Sequence, residues 1–160
     1  MATADPSLSM PRPPILWISL AAMFVCAGPA IAETQADQGK NQTMTRINVI
    51  IEGEVLSATL DDTVAGRDFA TMLPLELTLT DFHGAEKIAD LPRALDLSEA
   101  PASYRPEKGD ITVYAPWGNL AIFYKPFQTS RGLVRLGEFD GSMEALIKET
   151  DIPVRIERVD

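Results

Sequence analysis

Apolar and polar residues alternate in short runs through most of the chain beyond residue 45. Ile47, Val49 and Ile51 recur at every second position of Arg46 to Glu52, and Ile50 is apolar too. Period two predicts a strand buried on one face and partly covered on the other. Gly53 turns the chain, and Glu54 to Leu60 returns as a hairpin partner. The period then changes. Over Asp61 to Met72, the positions of Val64, Phe69, Met72 and Leu73 fit a helical stripe, with Asp62 or Thr63 as N-cap and Pro74 as stop. Leu75, Leu77 and Leu79 alternate with Glu76, Thr78 and Thr80, a half-buried strand whose polar face carries β-branched residues.

His83-Gly84 is a turn. Pro92 forbids an uninterrupted helix over Glu86 to Leu97, so that stretch reads as a short strand or turn followed by one helical turn. Ser98 to Gly109, with Pro101 and Pro106, is a loop. Asp110 to Ala115 is a strand, Pro116 to Asn119 a turn, and Leu120 to Tyr124 the returning strand. Gly132 to Phe139 and Pro153 to Val159 complete the strands, and Ser142 to Lys148 reads as a short capped helix. Seven or eight strands and two short helices result. No strand–helix–strand rhythm appears, so a doubly wound parallel sheet is excluded. Closely spaced strands joined by turns predict a mainly β chain, folded as a closed or nearly closed antiparallel barrel.

The first 45 residues follow other rules. Ile15 to Ala27 is thirteen residues without a charge, broken by Gly28-Pro29 and followed by the small-x-small run Ala30-Ile31-Ala32. That is the hydrophobic region and cleavage site of a signal peptide. As a helix it spans about 20 Å, short of the ~30 Å apolar core of a bilayer. Residues 1–32 are therefore expected to be removed, leaving Glu33 as the first residue of a periplasmic or secreted protein. The membrane is met only during export. The segment before the run lacks Lys and Arg until Arg12, and a start at Met10 gives a more usual signal. Cys26 follows Met23-Phe24-Val25, too bulky for a lipoprotein box. Residues 33–45 have few large apolar side chains and read as a flexible leader to a domain over 46–160.

Charge and chemistry narrow the function classes. Fourteen basic against 23 acidic residues give a net charge of −9, and an acidic chain is a poor partner for nucleic acid. One Cys and one His exclude a Cys/His zinc cluster and an internal disulfide, and no cofactor is expected. Asp61, Asp62 and Asp68 lack the spacing of a calcium loop. His83 with Ser130 or Ser142 lacks a nucleophile elbow. Glu86 and Lys87 read as a surface ion pair.

Four ordered blocks carry a resemblance: Asp110 to Lys125 (DITVYAPWGNLAIFYK), Ser130 to Gly137 (SRGLVRLG), Arg67 to Leu75, and Glu86 to Pro92. Together they resemble a bacterial family of cyclophilin-like domain proteins. The resemblance implies an eight-stranded β-barrel with helical caps over roughly residues 46–159. It does not imply the activity. Prolyl isomerases of the eukaryotic type carry an arginine in a Phe-His-Arg run beside a Gln-Gly-Gly stretch. Here Phe82-His83 precedes Gly84, and no Gln-Gly-Gly exists.

The remaining candidates concern a ligand. Trp117 and Asn119 lie in the Pro116–Asn119 turn, either as a stacking face with an amide at the barrel mouth or as a tight turn that covers the barrel end. Tyr104 and Tyr114 fit either arrangement, since a buried phenol needs a partner. Arg131 and Arg135 lie close in sequence to Phe123 and Phe127, which matches an apolar slot with a guanidinium donor; otherwise Phe123 fills the barrel and both arginines extend along its rim. The expected ligand-binding set is Tyr104, Tyr114, Trp117, Asn119, Phe123 and Arg131, in a non-catalytic module for a small molecule or peptide. The alternative is a prolyl isomerase with a different arginine.

Overall fold

The computed structural model describes residues 44–148 and 151–159. The expected signal peptide and nearly all of the expected leader lie outside these residues. Eight strands close into an antiparallel barrel, and they form because one side of each is covered by the others. β1 (Thr45–Ile51) pairs along its full length with β2 (Glu54–Leu60). Glu52 and Gly53 join them with φ of 51° and 87°, a two-residue turn whose positive dihedrals match the strand twist. β3 (Leu75–Phe82), β4 (Glu86–Asp90), β6 (Asp110–Tyr114), β7 (Asn119–Phe123), β9 (Leu133–Phe139) and β10 (Ile152–Arg158) complete the cylinder. Around the ring the order is β1-β10-β3-β4-β7-β6-β9-β2, which leaves no free edge. β5 (Ser103–Tyr104) and β8 (Ser130–Arg131) form a separate two-stranded ribbon, too short for any periodicity to reveal.

Ile47, Val49, Ile111, Val113, Leu120, Ile122, Leu136 and Ile156 are nearly fully buried inside the barrel. The α-helix α1 (Val64–Thr71) packs on β2 and β9 and adds Phe69, whose burial stabilises by about 2–3 kcal/mol. Thr63 is its N-cap, accepting the Gly66 amide at 3.0 Å.

Two expectations change. The second helix is a single 3₁₀ turn, Glu144–Leu146. Met143, Ala145 and Leu146 are buried, and the run is too short to carry the cost of nucleating an α-helix. The helical turn expected after Pro92 is also absent. That loop is pinned instead by Asp68, which accepts from both Arg93 nitrogens at 2.7 and 2.8 Å and from the Asp96 amide at 2.8 Å. These donors hold the Asp68 carboxyl down at about 2, with Arg93 the largest contributor.

Candidate functional site

Strand alternation sets the site on the outside of the barrel. Leu120 and Ile122 of β7 point into the core, so Asn119, Ala121 and Phe123 face outward. Ala121, Phe123 and Leu133 form a second apolar cluster, joined by Ile88, Tyr104 and Tyr114. Phe123 therefore does not fill the barrel; it belongs to this outer cluster. Above it opens a concavity of about 500 Å³. Tyr114, Trp117, Asn119, Phe123 and Arg131 all line it. Five of the six residues expected from the sequence thus meet at one place.

Tyr104 is not among the residues that line the groove. It packs on the outer cluster and its hydroxyl donates to Asp110 Oδ2 at 2.8 Å. Burial, then that bond, pushes its phenol well above the ordinary value. It braces the groove rather than facing into it.

The walls are aromatic. Trp117, at 62% the most exposed large apolar residue among those described, stands edge-to-face against Tyr114 (centroids 5.3 Å apart, 85°) and Phe82 (5.8 Å, 87°). It reaches over the outer face, where it borders two concavities. Phe123 and Phe127 lie 6.2 Å apart at 32°. Gly132 packs against the Pro116 ring, and a Cβ there would lie 2.9 Å from it, so this position has no room for a side chain.

Polar groups sit among these rings. Asn119 is only 4% exposed. Its Nδ2 donates to the Leu120 carbonyl at 3.1 Å, and its Oδ1 has no partner among the described residues. Glu86, which the sequence reading set aside as a surface ion pair, is half-buried in the groove. Burial raises its carboxyl to about 7. It makes no pair with Lys87, because adjacent strand residues face opposite ways. Lys87 points into the barrel and lies 3.2 Å from Asp81. His83 stacks on Phe82 at 4.2 Å and makes no bond to Ser130, whose hydroxyl donates to the Gln128 carbonyl at 3.2 Å.

The two arginines separate. Arg131 lines the groove, exposed and without an ion pair among the described residues. Arg135 is on the same strand as the outer cluster but is consumed elsewhere. It contacts Asp61 at 2.6 and 2.7 Å, Asp110 at 3.1 Å and Glu138 at 3.0 Å. Burial opposes its charge, but these carboxylates outweigh that and hold it ionised. It clamps β6, β9 and the start of α1 together. Asp62 and Asp68 are likewise taken by Arg67 and Arg93.

Comparison with known proteins agrees with this geometry. The Cyclophilin-like family model matches residues 49–157. No curated protein matches significantly. Among solved structures, the barrel is similar to the solution structure of the hypothetical protein AF2241 from Archaeoglobus fulgidus. The TM-score is 0.59 at 19% identity, over 76% of this chain and 99% of that one, which establishes a shared fold. With the family match running from β1 into β10, the chain belongs to the Cyclophilin-like family.

Proposed function

We propose that this protein is an exported, non-catalytic binding module whose ligand, a small molecule or peptide, lies in the outer groove. One observation carries the reading. Beside Asn119, whose buried side-chain oxygen has no partner among the described residues, lies a ligand-sized concavity walled by Phe82, Tyr114, Trp117 and Phe123, with Trp117 left 62% exposed. A bound apolar body covers that exposed wall. Thermal-shift screening of the full-length chain tests it, because a ligand that prefers the native state raises Tm. Hits are expected to lose their effect in Trp117→Ala. That variant removes a mostly exposed ring with two edge-to-face contacts, and is expected to cost the unliganded fold about 1–2 kcal/mol, which leaves it folded. Hits that stabilise the variant equally bind elsewhere and count against the groove.

A second reading, prolyl isomerisation, draws support from Arg131. Its guanidinium has no ion pair among the described residues and lines the groove with the apolar Phe123 and Leu133. Twisting an amide crosses a barrier of ~18–20 kcal/mol for a general peptide bond, which a donor to the prolyl nitrogen lowers. In a protease-coupled assay this predicts a rate that Arg131→Ala abolishes. A rate unchanged by that substitution excludes the arginine mechanism.

Export rests on the uncharged run Ile15 to Ala27 and the Ala30-Ile31-Ala32 site. Mass spectrometry of the protein secreted by a bacterial host is expected to find Glu33 at its N-terminus. Retention of residues 15–27 overturns export by cleavage.

A further inference from the structure

A carboxylate lies on each side of Trp117. β4 turns Glu86 and Asp90 outward, and the two flank Trp117 from different concavities. The second concavity, about 420 Å³, shares Ile88, Trp117 and Asn119 with the first. Asp90 is the direct cross-strand partner of Asn119, and Glu86 that of Phe123. Glu86 has neither a cation nor a hydrogen-bond donor among the described residues. Asn119 Oδ1 also lacks a donor among the described residues, but it is buried and stands four positions along β7 from Phe123, the partner of Glu86.

We propose that the groove takes its ligand through a protonated amine, held by the Glu86 carboxylate beside the aromatic wall of Phe82 and Trp117. This rests on the groove being a binding site, and it names the ligand chemistry. An ammonium brings three donors and no acceptor, which answers the unpaired carboxylate. The open faces of Trp117, Tyr114 and Phe82 attract a cation through their ring quadrupoles, and they cover the apolar body that carries it. The source of the ammonium is either a small free amine or a lysine side chain of an extended peptide.

The charged and titratable groups around Glu86 are His83 from the β3–β4 turn, Tyr114 from β6 and Arg131 from β8. Lys87 faces the other way. Arg131 is exposed, so a bound cation is not forced against it in a dry site. Glu86, held near 7 by burial, is mostly neutral at pH 6 and mostly charged at pH 8. An alkylammonium keeps its charge over that range. Affinity for it therefore rises with pH.

Titration calorimetry on the full-length chain tests this with 2-phenylethylamine, 2-phenylethanol, 3-phenylpropionate and a capped phenylalanine–lysine peptide. The amine is expected to bind about tenfold more tightly at pH 8 than at pH 6, following the ionised fraction of Glu86. Glu86→Gln is expected to flatten that pH profile and weaken the amine at least tenfold, while its Tm at pH 8 stays at or above the parent's. Tighter binding of the capped peptide than of the free amine assigns the ammonium to a peptide; the reverse assigns it to a small molecule. Either order supports the proposal. Equal affinity for amine and alcohol, or an amine affinity that Glu86→Gln leaves intact, overturns the cation assignment while the groove remains a binding site. Absence of amine binding also overturns it. The groove reading itself fails only when the broader thermal-shift screen finds nothing that depends on Trp117.

Discussion

Gly137→Ala is expected to unfold most of the molecule at ambient temperature, or to lower its stability by at least about 4 kcal/mol. A Cβ at this position lies 2.2 Å from the Thr59 carbonyl oxygen, 2.7 Å from Leu60 Cα and 3.0 Å from the Thr59 carbonyl carbon. All three are backbone atoms of β2, so no rotamer change relieves the clash. Overpacking against mobile side chains costs about 1–3 kcal/mol, and a rigid backbone raises that. The location makes it worse. Only Ala58, Thr59 and Leu60 pair with β9, opposite Phe139, Glu138 and Gly137, and this short ladder closes the barrel. Pushing β2 away opens an edge and exposes the core on both sides. Because a domain of this size has about 5–15 kcal/mol in all, the loss takes a large share of it. Gly141→Ala is the control. Nothing lies within 4 Å of its Cβ and its φ is not positive, so urea denaturation should leave it within about 0.5 kcal/mol of the parent. Equal midpoints for the two variants would remove the argument that β2 and β9 meet at this glycine.

The barrel was legible where one face of a strand is wet. In β1 the exposure follows the Ile47, Val49 and Ile51 repeat, and in β3 Leu75 and Leu79 are inward as the alternation predicts. It was much less legible at the site. β7 is buried on both faces, Asn119 through Phe123, because an outer cluster covers what would be its wet side. With no polar face there, periodicity does not say whether Phe123 points in or out. β4 is harder still. Its Glu-Lys-Ile-Ala-Asp pattern invites Ile88 inward and Lys87 outward, yet Lys87 is inside and Ile88 lines the groove. The aromatic half of the site was readable from residue type alone. Glu86 was not, since its raised pKa comes from burial by residues far away in sequence. Arg131 and Arg135 are alike in sequence; only the carboxylates of Asp61 and Asp110, brought from two other segments, distinguish the free one from the bound one.

The inward lysine sets the register of the whole site, and removing its counter-ion should show this. Lys87 is 0% exposed. Its ammonium lies 3.2 Å from Asp81 Oδ1, donates to the Lys148 carbonyl, and sits 6.0 Å from the centre of the Tyr124 ring. Asp81 has more help: Tyr124 donates to Oδ1 at 2.6 Å and the Gly84 amide to Oδ2 at 3.1 Å. The Tyr124 bond first, with Lys87 and Gly84, lowers the Asp81 carboxyl below its ordinary value against the opposing effect of burial. The two deletions should therefore be unequal. Asp81→Ala strands a buried ammonium on one carbonyl and is expected to cost about 3–5 kcal/mol at pH 7. Lys87→Met fills the same space without a charge and leaves a partly exposed carboxylate with two donors, so it should be neutral or slightly stabilising. Adding Lys87→Met to Asp81→Ala should recover most of the loss, which a simple sum of independent effects does not allow. The pH dependence has a definite sign. A lowered carboxylate contributes stability above its unfolded value of 3.8, and the contribution disappears as pH falls through its folded value. The parent should accordingly lose more stability than Lys87→Met between pH 5 and 2. Urea midpoints across that range decide it. Equal losses for the two single variants at pH 7 would mean that the ammonium is not held by Asp81. Because Lys87 faces in, Glu86 and Ile88 must face out, and the same substitution that loosens β4 should also weaken whatever the groove holds.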